Sequence, residues 1–525
     1  MTGLCNVTQA WSSNNPRSEM PQCSNCGFIS NQPAYNPVED LDPAGEYDPR
    51  LQLQELDYQI ARARAVVKEL RRKRIPLKRK INRHDSPILR LPPELHAEIF
   101  TACLPEISWN PVDETATVPY SVMPLLLAMV CSAWRDLTWS MPRLWSGISL
   151  SLDRSTPSRC DLVKEWIARS GQCQLSIHLT SSLHQEELLQ RSSIFSMLDI
   201  IASCSDRWFQ IFFALPTSCY QAIRGIHNRL PLLNFISLRL NRAPWLTPFY
   251  GFGATPQLRH VEIEGYEAES MYLSLSQVTR MSLTWITTEE CRDVLSRCPN
   301  LSYCSFIDVV PSEESGPPIL APKMEYLDIQ IEVYHAEGAL SELLDALTIP
   351  VARELRINSA GKILPHSKFI SLLSRSACSL QRLALVNCRC SELALSRCLQ
   401  VLPTLIHLEF SVPGMMNSVV YALDHSDPSN IGFPCLLPNL QTLTLGTYKV
   451  GLLGLVSMLS TRWRNDVTYS GDYNHATQLR SVLVTHPIEV VPDAPVLAQL
   501  RRLVAEGMEI TLWMGTRHSC QLLLL

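Results

Sequence analysis

The apolar positions of this chain change period along its length, and each period predicts a different element. Leu53, Leu56, Ile60, Ala63, Val67, Leu70, Leu77 and Ile81 follow one another at alternating steps of three and four, with Arg74 as the charged residue on the same line. That alternation holds one apolar seam on a single face of a helix. Pro76 lacks a backbone donor, so the spacing predicts about six turns of amphipathic helix that break near Arg74–Ile75, then a second short helix. The seam serves equally to pair with another chain or to lie back on the following domain. Residues 1–47 are rich in Asn, Ser, Pro and Gln and read as a disordered leader, which places the helix in 48–84.

Downstream the period stays helical but shortens into small units. Pro92-Pro93 opens a helix where a missing donor is not needed, and Glu94 suits the positive end of its dipole. Leu95, Ile99 and Phe100 then form an apolar stripe. A second helix is expected from Pro124 through Leu126, Leu127, Val130, Trp134 and Leu137, and a third short unit at Ser140–Trp145. The stretch 105–120 between the first two is polar and carries proline, as a surface insertion would. So small a unit buries little surface, so a partner or the rest of the chain has to cover its apolar residues.

From 201 to 515 the pattern is a repeat, P-x-L-x-x-L-x-L. It stands as Pro231-x-Leu233-x-x-Ile236-x-Leu238, Pro256-x-Leu258-x-x-Val261-x-Ile263 and Pro299-x-Leu301-x-x-Cys304-x-Phe306. Further copies lead from Met324, Leu405 and Leu440, with weaker ones at Trp208, Val278, Ala352, Leu380 and Leu479. Most steps fall in the 20–29-residue range of leucine-rich repeats. Helical patterns lie between the strands at 289–297, 339–347, 368–374 and 392–402. The expected fold class is therefore an α/β solenoid, a leucine-rich-repeat horseshoe with a parallel concave sheet. It would be entered through a transition at 151–200 and left through a tail at 516–525. Alternation puts His260, Glu262, Glu264, Arg280, Tyr303, Tyr326, Asp328, Glu354, Arg356, His407 and Glu409 on the concave face. Their mixture of charges and rings suits a surface that holds a target protein.

Over residues 86–150 the motifs become specific. Leu91-Pro92-Pro93-Glu94-Leu95, Ile99-Phe100, Val130-Cys131-Ser132-Ala133-Trp134-Arg135 and Pro142-Arg143-Leu144-Trp145 resemble the F-box, closest to the expanded F-box family of fungi. There a coiled heptad helix and a Ser-Pro-Ile step, here Ser86-Pro87-Ile88, precede the Leu-Pro-Pro-Glu. The resemblance implies docking to the Skp-type adaptor of a cullin-RING ubiquitin ligase through Leu91, Pro92, Leu95, Ile99, Phe100, Val130 and Trp134. The chain departs from shorter F-boxes in the long insertion between the first two helices. The same resemblance implies a non-catalytic receptor subunit that binds the adaptor at one end and a target along the solenoid.

Composition narrows the alternatives. Lys+Arg 46 against Asp+Glu 50 gives a net charge of −4, which argues against a globally basic nucleic-acid binder. Nine basic residues between Lys68 and Arg83 nevertheless form a local run, readable as a solvated helix face, a nuclear-import signal or a phosphate-facing patch. Apolar residues reach 46%, and leucine alone is about one residue in seven, well above an ordinary share. The 18 cysteines follow no framework and residues 1–20 hold no apolar core, so a reducing, cytoplasmic or nuclear location without disulfides is expected. No apolar run approaches the ~20 residues of a membrane helix.

Candidate chemistry is sparse. Cys23 and Cys26 form a lone CxxC that Cys5 does not complete to four zinc ligands. Glu94, His96 and Glu98 resemble a ligand set, but on a helix His96 turns away from the two glutamates. Gly251-Phe252-Gly253-Ala254 begins like a dinucleotide fingerprint, yet Gln257 stands where the third glycine belongs, so it reads as a loop. No metal, cofactor or catalytic constellation is expected. Two other functions stay open: a ligase-independent scaffold, with the small helical unit capping the solenoid, and a nuclear regulator acting through 68–83.

Overall fold

The computed structural model describes residues 48–104, 122–183, 191–240, 249–265, 272–312, 316–331, 338–411, 420, 423–424, 436–446, 452–464, 477–488, 493–516 and 519–522. The expected leader at 1–47 with its Cys23/Cys26 pair and the insertion at 105–120 lie outside the described residues. The chain divides into two units, Met1–Arg90 and Leu91–Leu525.

In the first unit a single helix, α1, runs Pro49–Asp85 with no buried residue. Asp48 caps it by accepting from the Arg50 amide at 3.0 Å, and Pro49 takes the first turn. The helix stops at Ser86, whose extended backbone is what a following Pro87 requires. The expected break at Arg74–Ile75 is not there: α1 continues through Pro76. Proline removes one bond and crowds the carbonyl four residues back, but strong helix formers (Leu70–Arg74 before it, Leu77–Lys80 after it) hold both sides.

The second unit opens with α2 (Pro93–Ala102), α3 (Met123–Val130) and α4 (Ser132–Trp139), then a 3-10 turn at Pro142–Trp145. The single second helix expected from the sequence is two. Cys131 between them is fully extended at φ −156°, ψ 171°, and its Sγ accepts from the Trp134 amide at 3.4 Å as a cap.

The rest is a parallel sheet with helices between its strands. Its strands are β1 (Gly147–Ser151), β2 (Leu175–Thr180), β3 (Trp208–Leu215), β4 (Phe235–Leu240), β5 (His260–Glu264), β6 (Arg280–Thr284) and β7 (Tyr303–Val309). After the short β8 (Ile319–Leu320) come β9 (Tyr326–Ile331), the short β10 (Leu347–Thr348), β11 (Glu354–Asn358), β12 (Arg382–Val386) and β13 (His407–Ser411). The series ends with β14 (Thr442–Leu445), β15 (Ser481–Ile488), β16 (Glu509–Thr516) and β17 (Ser519–Leu522). Fifteen of these form one sheet in chain order, with β8 and β10 paired apart. Every neighbouring pair in the large sheet is parallel except β16–β17. This is an α/β solenoid.

Two boundaries move. The segment expected as a transition, 151–200, already holds β2 and follows β1, which pair in register from Gly147↔Ser176 onward. Those early repeats lack the proline lead, so the motif did not reveal them. The expected tail at 516–525 supplies β17, which returns antiparallel along β16 and covers the edge strand.

Alternation does the sorting. In β5 Val261 and Ile263 are buried while His260, Glu262 and Glu264 are half-buried, and β6, β11, β12 and β13 keep the same order. The buried set joins the inward residues of the intervening helices, such as Leu343 and Leu344, Phe369 and Leu372, and Leu395 and Leu399, in one continuous core. Helices therefore cover one face of the sheet and leave the other open. The Gly253 turn is a structural loop: its φ is +49°, and a Cβ there would lie 2.6 Å from Asn228 Oδ1.

Candidate functional site

Two surfaces of the second unit combine exposure with unusual composition. The first is built by α2 and α3. Proline at the first position and Glu94 in the first turn start α2, which then turns His96 and Phe100 inward, one helical turn apart. Phe100 is fully buried and meets Trp134 edge-on at 4.8 Å, in a small core with Leu127, Leu144 and Trp145. The opposite side of α2 leaves Leu95 49% exposed, beside exposed Pro92.

Helix α3, Met-Pro-Leu-Leu-Leu-Ala-Met-Val, carries no polar side chain at all. Pro124, Leu127 and Ala128 face inward, so Leu125, Leu126, Met129 and Val130 are left outward, Met129 at 74% and Val130 at 62%. A helix that is apolar all round normally has protein on every side. Arg135 Nε donates to the Ala128 carbonyl at 3.1 Å and fixes α4 against α3, so this face is held rather than frayed.

Of the residues expected to contact an adaptor, Pro92, Leu95 and Val130 are exposed, and Leu91, Ile99 and Trp134 are half-buried. Phe100 is a correction: it is core, because its turn of α2 faces Trp134 and the ring fills the space between them. The residues missed were Leu125, Leu126 and Met129. The signal for them was the unbroken apolar run 123–130, which reads as core until the break at Cys131 shows that half of it is outside.

The helical module is tied to the first repeat through aromatic groups. The helix α5 (Pro157–Arg169) brings Trp166 edge-on to Trp145 at 4.6 Å and lays the Arg169 guanidinium over Trp139 at 4.6 Å and Trp145 at 5.2 Å. Trp145 Nε1 donates to the Thr138 carbonyl at 2.9 Å.

The second surface is the open face of the sheet. Parallel register lines His260, Arg280, Tyr303, Tyr326, Glu354, Arg382 and His407 in one row across β5–β13. A second row holds Glu262, Ser282, Ser305, Asp328, Arg356, Ala384 and Glu409. In the first row Arg280 lies over Tyr303 at 4.2 Å, and Tyr303 stacks flat on Tyr326 at 4.1 Å and 1°. In the second row Arg356 reaches past small Ala384 to Glu409, Nη1 to Oε2 3.0 Å. His260–Glu262, Arg239–Glu264 and Arg382–Glu354 lie at 3.1, 3.5 and 3.8 Å. His407 is paired with Thr442.

Ten of the eleven residues expected on this face are half-buried or exposed there. Asp328 is the correction, 6% exposed. Its Oδ2 accepts from Ser305 at 3.3 Å and Gln330 at 2.9 Å, while Oδ1 has no hydrogen-bond partner. Burial therefore raises its pKa against the opposing pull of those bonds and of Arg356. Burial, with Asp328 and Tyr303 alongside, also pushes the Tyr326 phenol above its usual value. The reading of the repeats missed the upstream end of the face, where His178, Phe212, Phe235 and Arg239 lie on β2–β4. There burial and the Arg239 charge bring His178 down to about 4. The alternation of Leu175–Thr180 was the available sign.

Among the described residues no group of His, Cys, Asp or Glu could hold a metal ion, and all cysteines are free. Burial pushes the Cys219 and Cys298 thiols up to about 12, which leaves them as packing groups. No helix among the described residues is long and apolar enough to cross a membrane.

No family model and no curated protein matches this chain. Among solved structures it is similar to a chain in the crystal structure of a Rad7 and Elc1 complex in yeast. That likeness is 12% identical, covers 78% of this chain and 95% of that chain, and has a TM-score of 0.26. A superposition at that score supports no statement about function, which rests instead on the two surfaces.

Proposed function

We propose that this chain is the substrate-receptor subunit of an SCF-type ubiquitin ligase, with 86–150 as its F-box and the leucine-rich-repeat-like solenoid as its target-holding half. The observation that carries the reading is the outward side of α3, where Leu125, Leu126, Met129 and Val130 stay exposed, as Leu95 does on α2. Adaptor docking would remove that apolar area from water, at ~25 cal/mol per Å². The mechanism is proximity. The receptor contributes no reacting group; it holds the target near an enzyme carried at the other end of the assembly and raises the local concentration of target lysines. The Trp145–Trp166–Arg169 junction supports this, since proximity works only if the two ends keep a fixed relation.

A ligase-independent scaffold is the competing reading. Met129→Asp with Val130→Asp separates the two, because both side chains are exposed and the double variant should melt like the parent chain. Capture of a purified Skp-type adaptor is expected from the parent chain and to fall at least tenfold in the variant. Equal capture by both chains, or none by the parent, sinks the ligase reading.

A further inference from the structure

The turns that lead into the central strands leave a groove of about 930 Å³ along one edge of the sheet. Its floor is the row of residues immediately before six neighbouring strands: Arg259, Thr279, Ser302, Glu325, Arg353 and Gln381 precede β5, β6, β7, β9, β11 and β12. Their backbone is already satisfied. The amides of Thr279, Ser302, Glu325 and Arg353 each donate to the carbonyl of the preceding row member at 2.9 Å, and that of Gln381 does so at 2.8 Å. Anything bound in the groove must therefore be held by side chains.

Those side chains are unevenly charged. Among the described residues Arg259, Lys323 and Arg353 line the groove against the single carboxylate of Glu325. Among the described residues none of these three cations is in an ion pair. Arg259 donates to the carbonyls of Pro256 and Leu258, and Lys323 to Asn300 Oδ1 at 2.6 Å, which leaves their charges uncompensated. On the open face next to them Arg239, Arg356 and Arg382 each face a glutamate, and Arg280 lies over the Tyr303 ring. Uncompensated positive charge is thus gathered at this edge. Guanidinium and ammonium groups framed by hydroxyls and amides recognise carboxylates and phosphates. Among the described residues no aromatic ring lines the groove, so they offer nothing on which a nucleobase could stack. Six strands at ~4.8 Å make a floor of roughly 24 Å, the length of about seven extended residues.

We propose that this groove holds an extended acidic segment of the target protein, whose carboxylates or phosphates lie against Arg259, Lys323 and Arg353. The proposal rests on the reading of the repeat array as the target-holding half. It is tested by fluorescence anisotropy of the full chain with ten-residue Gly/Ser peptides carrying four glutamates, four phosphoserines or four glutamines, and with a ten-nucleotide oligouridine. The two acidic peptides should bind at 150 mM salt and the glutamine peptide at least tenfold more weakly. Lys323→Glu with Arg353→Glu should weaken acidic-peptide binding at least tenfold without changing the melting temperature or adaptor capture. Met129→Asp with Val130→Asp should do the reverse, so the two readings fail separately. A preference between the acidic peptides identifies phosphate or carboxylate as the source, and either supports the groove. No binding of either, equal binding by the groove variant, or RNA bound as tightly as the peptides overturns the assignment.

Discussion

At the scale of single residues, Phe100 and Leu95 show how neighbours on one helix divide between core and surface. Phe100 is enclosed by Trp134 and Leu127, so Phe100→Ala opens a cavity and should cost about 3–5 kcal/mol in denaturant unfolding. Leu95→Asp changes an exposed side chain and should leave unfolding within about 0.5 kcal/mol. Asp328 carries a pH prediction. Its pKa is raised by burial, so the folded state favours the protonated form; its contribution is full below the unfolded value near 3.9 and is lost as pH rises through the raised folded value. At neutral pH the buried carboxylate is a cost. Asp328→Asn should therefore raise the melting temperature at pH 7, and the gain should shrink as pH falls into the carboxylate range. A gain that is flat with pH would mean the charge is not its source.

Elements obey the same local chemistry until packing or chain breaks intervene. Between α3 and α4 the hydrophobic spacing runs on unbroken, yet one extended residue, Cys131, resets the helical phase and sends Leu125, Leu126, Met129 and Val130 outward. Periodicity cannot register such a break, because Trp134 and Leu137 stay in step with the line. Pro76 teaches the reverse: a residue that breaks helices in principle is carried inside α1. Its missing donor should leave the carbonyl of Arg72 open and the turn around it weak. Pro76→Ala should accordingly slow amide hydrogen exchange across 72–79 in the full chain, by a helix-interior difference of up to about 3 kcal/mol. Unchanged exchange there would show that the proline carries no such weakness.

For the second unit as a whole, the decisive feature is that the helical module and the repeats are joined by packed rings. Trp145 is buried, Trp166 lies edge-on to it, and Arg169 covers both Trp139 and Trp145. Solenoid stability is a sum over neighbours, so a unit at one end depends on the strength of a single interface. Calorimetry should show the module melting together with the first repeats, whereas Trp145→Ala with Trp166→Ala should split off an earlier transition. One unsplit transition in that variant would place the coupling elsewhere. The proposed function depends on this coupling, since an adaptor and a target held at uncoupled ends would gain little from proximity.

The repeat pattern alone determined the strands of the large sheet from β3 to β15, the helical patterns at 289–297, 339–347, 368–374 and 392–402, and the face that carries all eleven expected side chains, ten of them half-buried or exposed. That is because a period of two and a repeat near 25 residues are local properties, enforced by backbone geometry wherever the chain folds. The motifs over 86–150 located the helical module, but not which of its apolar residues face outward. Phe100 inside, Met129 outside, the buried carboxylate of Asp328 and the cationic edge groove each depend on groups far apart in sequence meeting across strands or helices. Only the folded chain sets those distances, and burial and electrostatic screening follow from them.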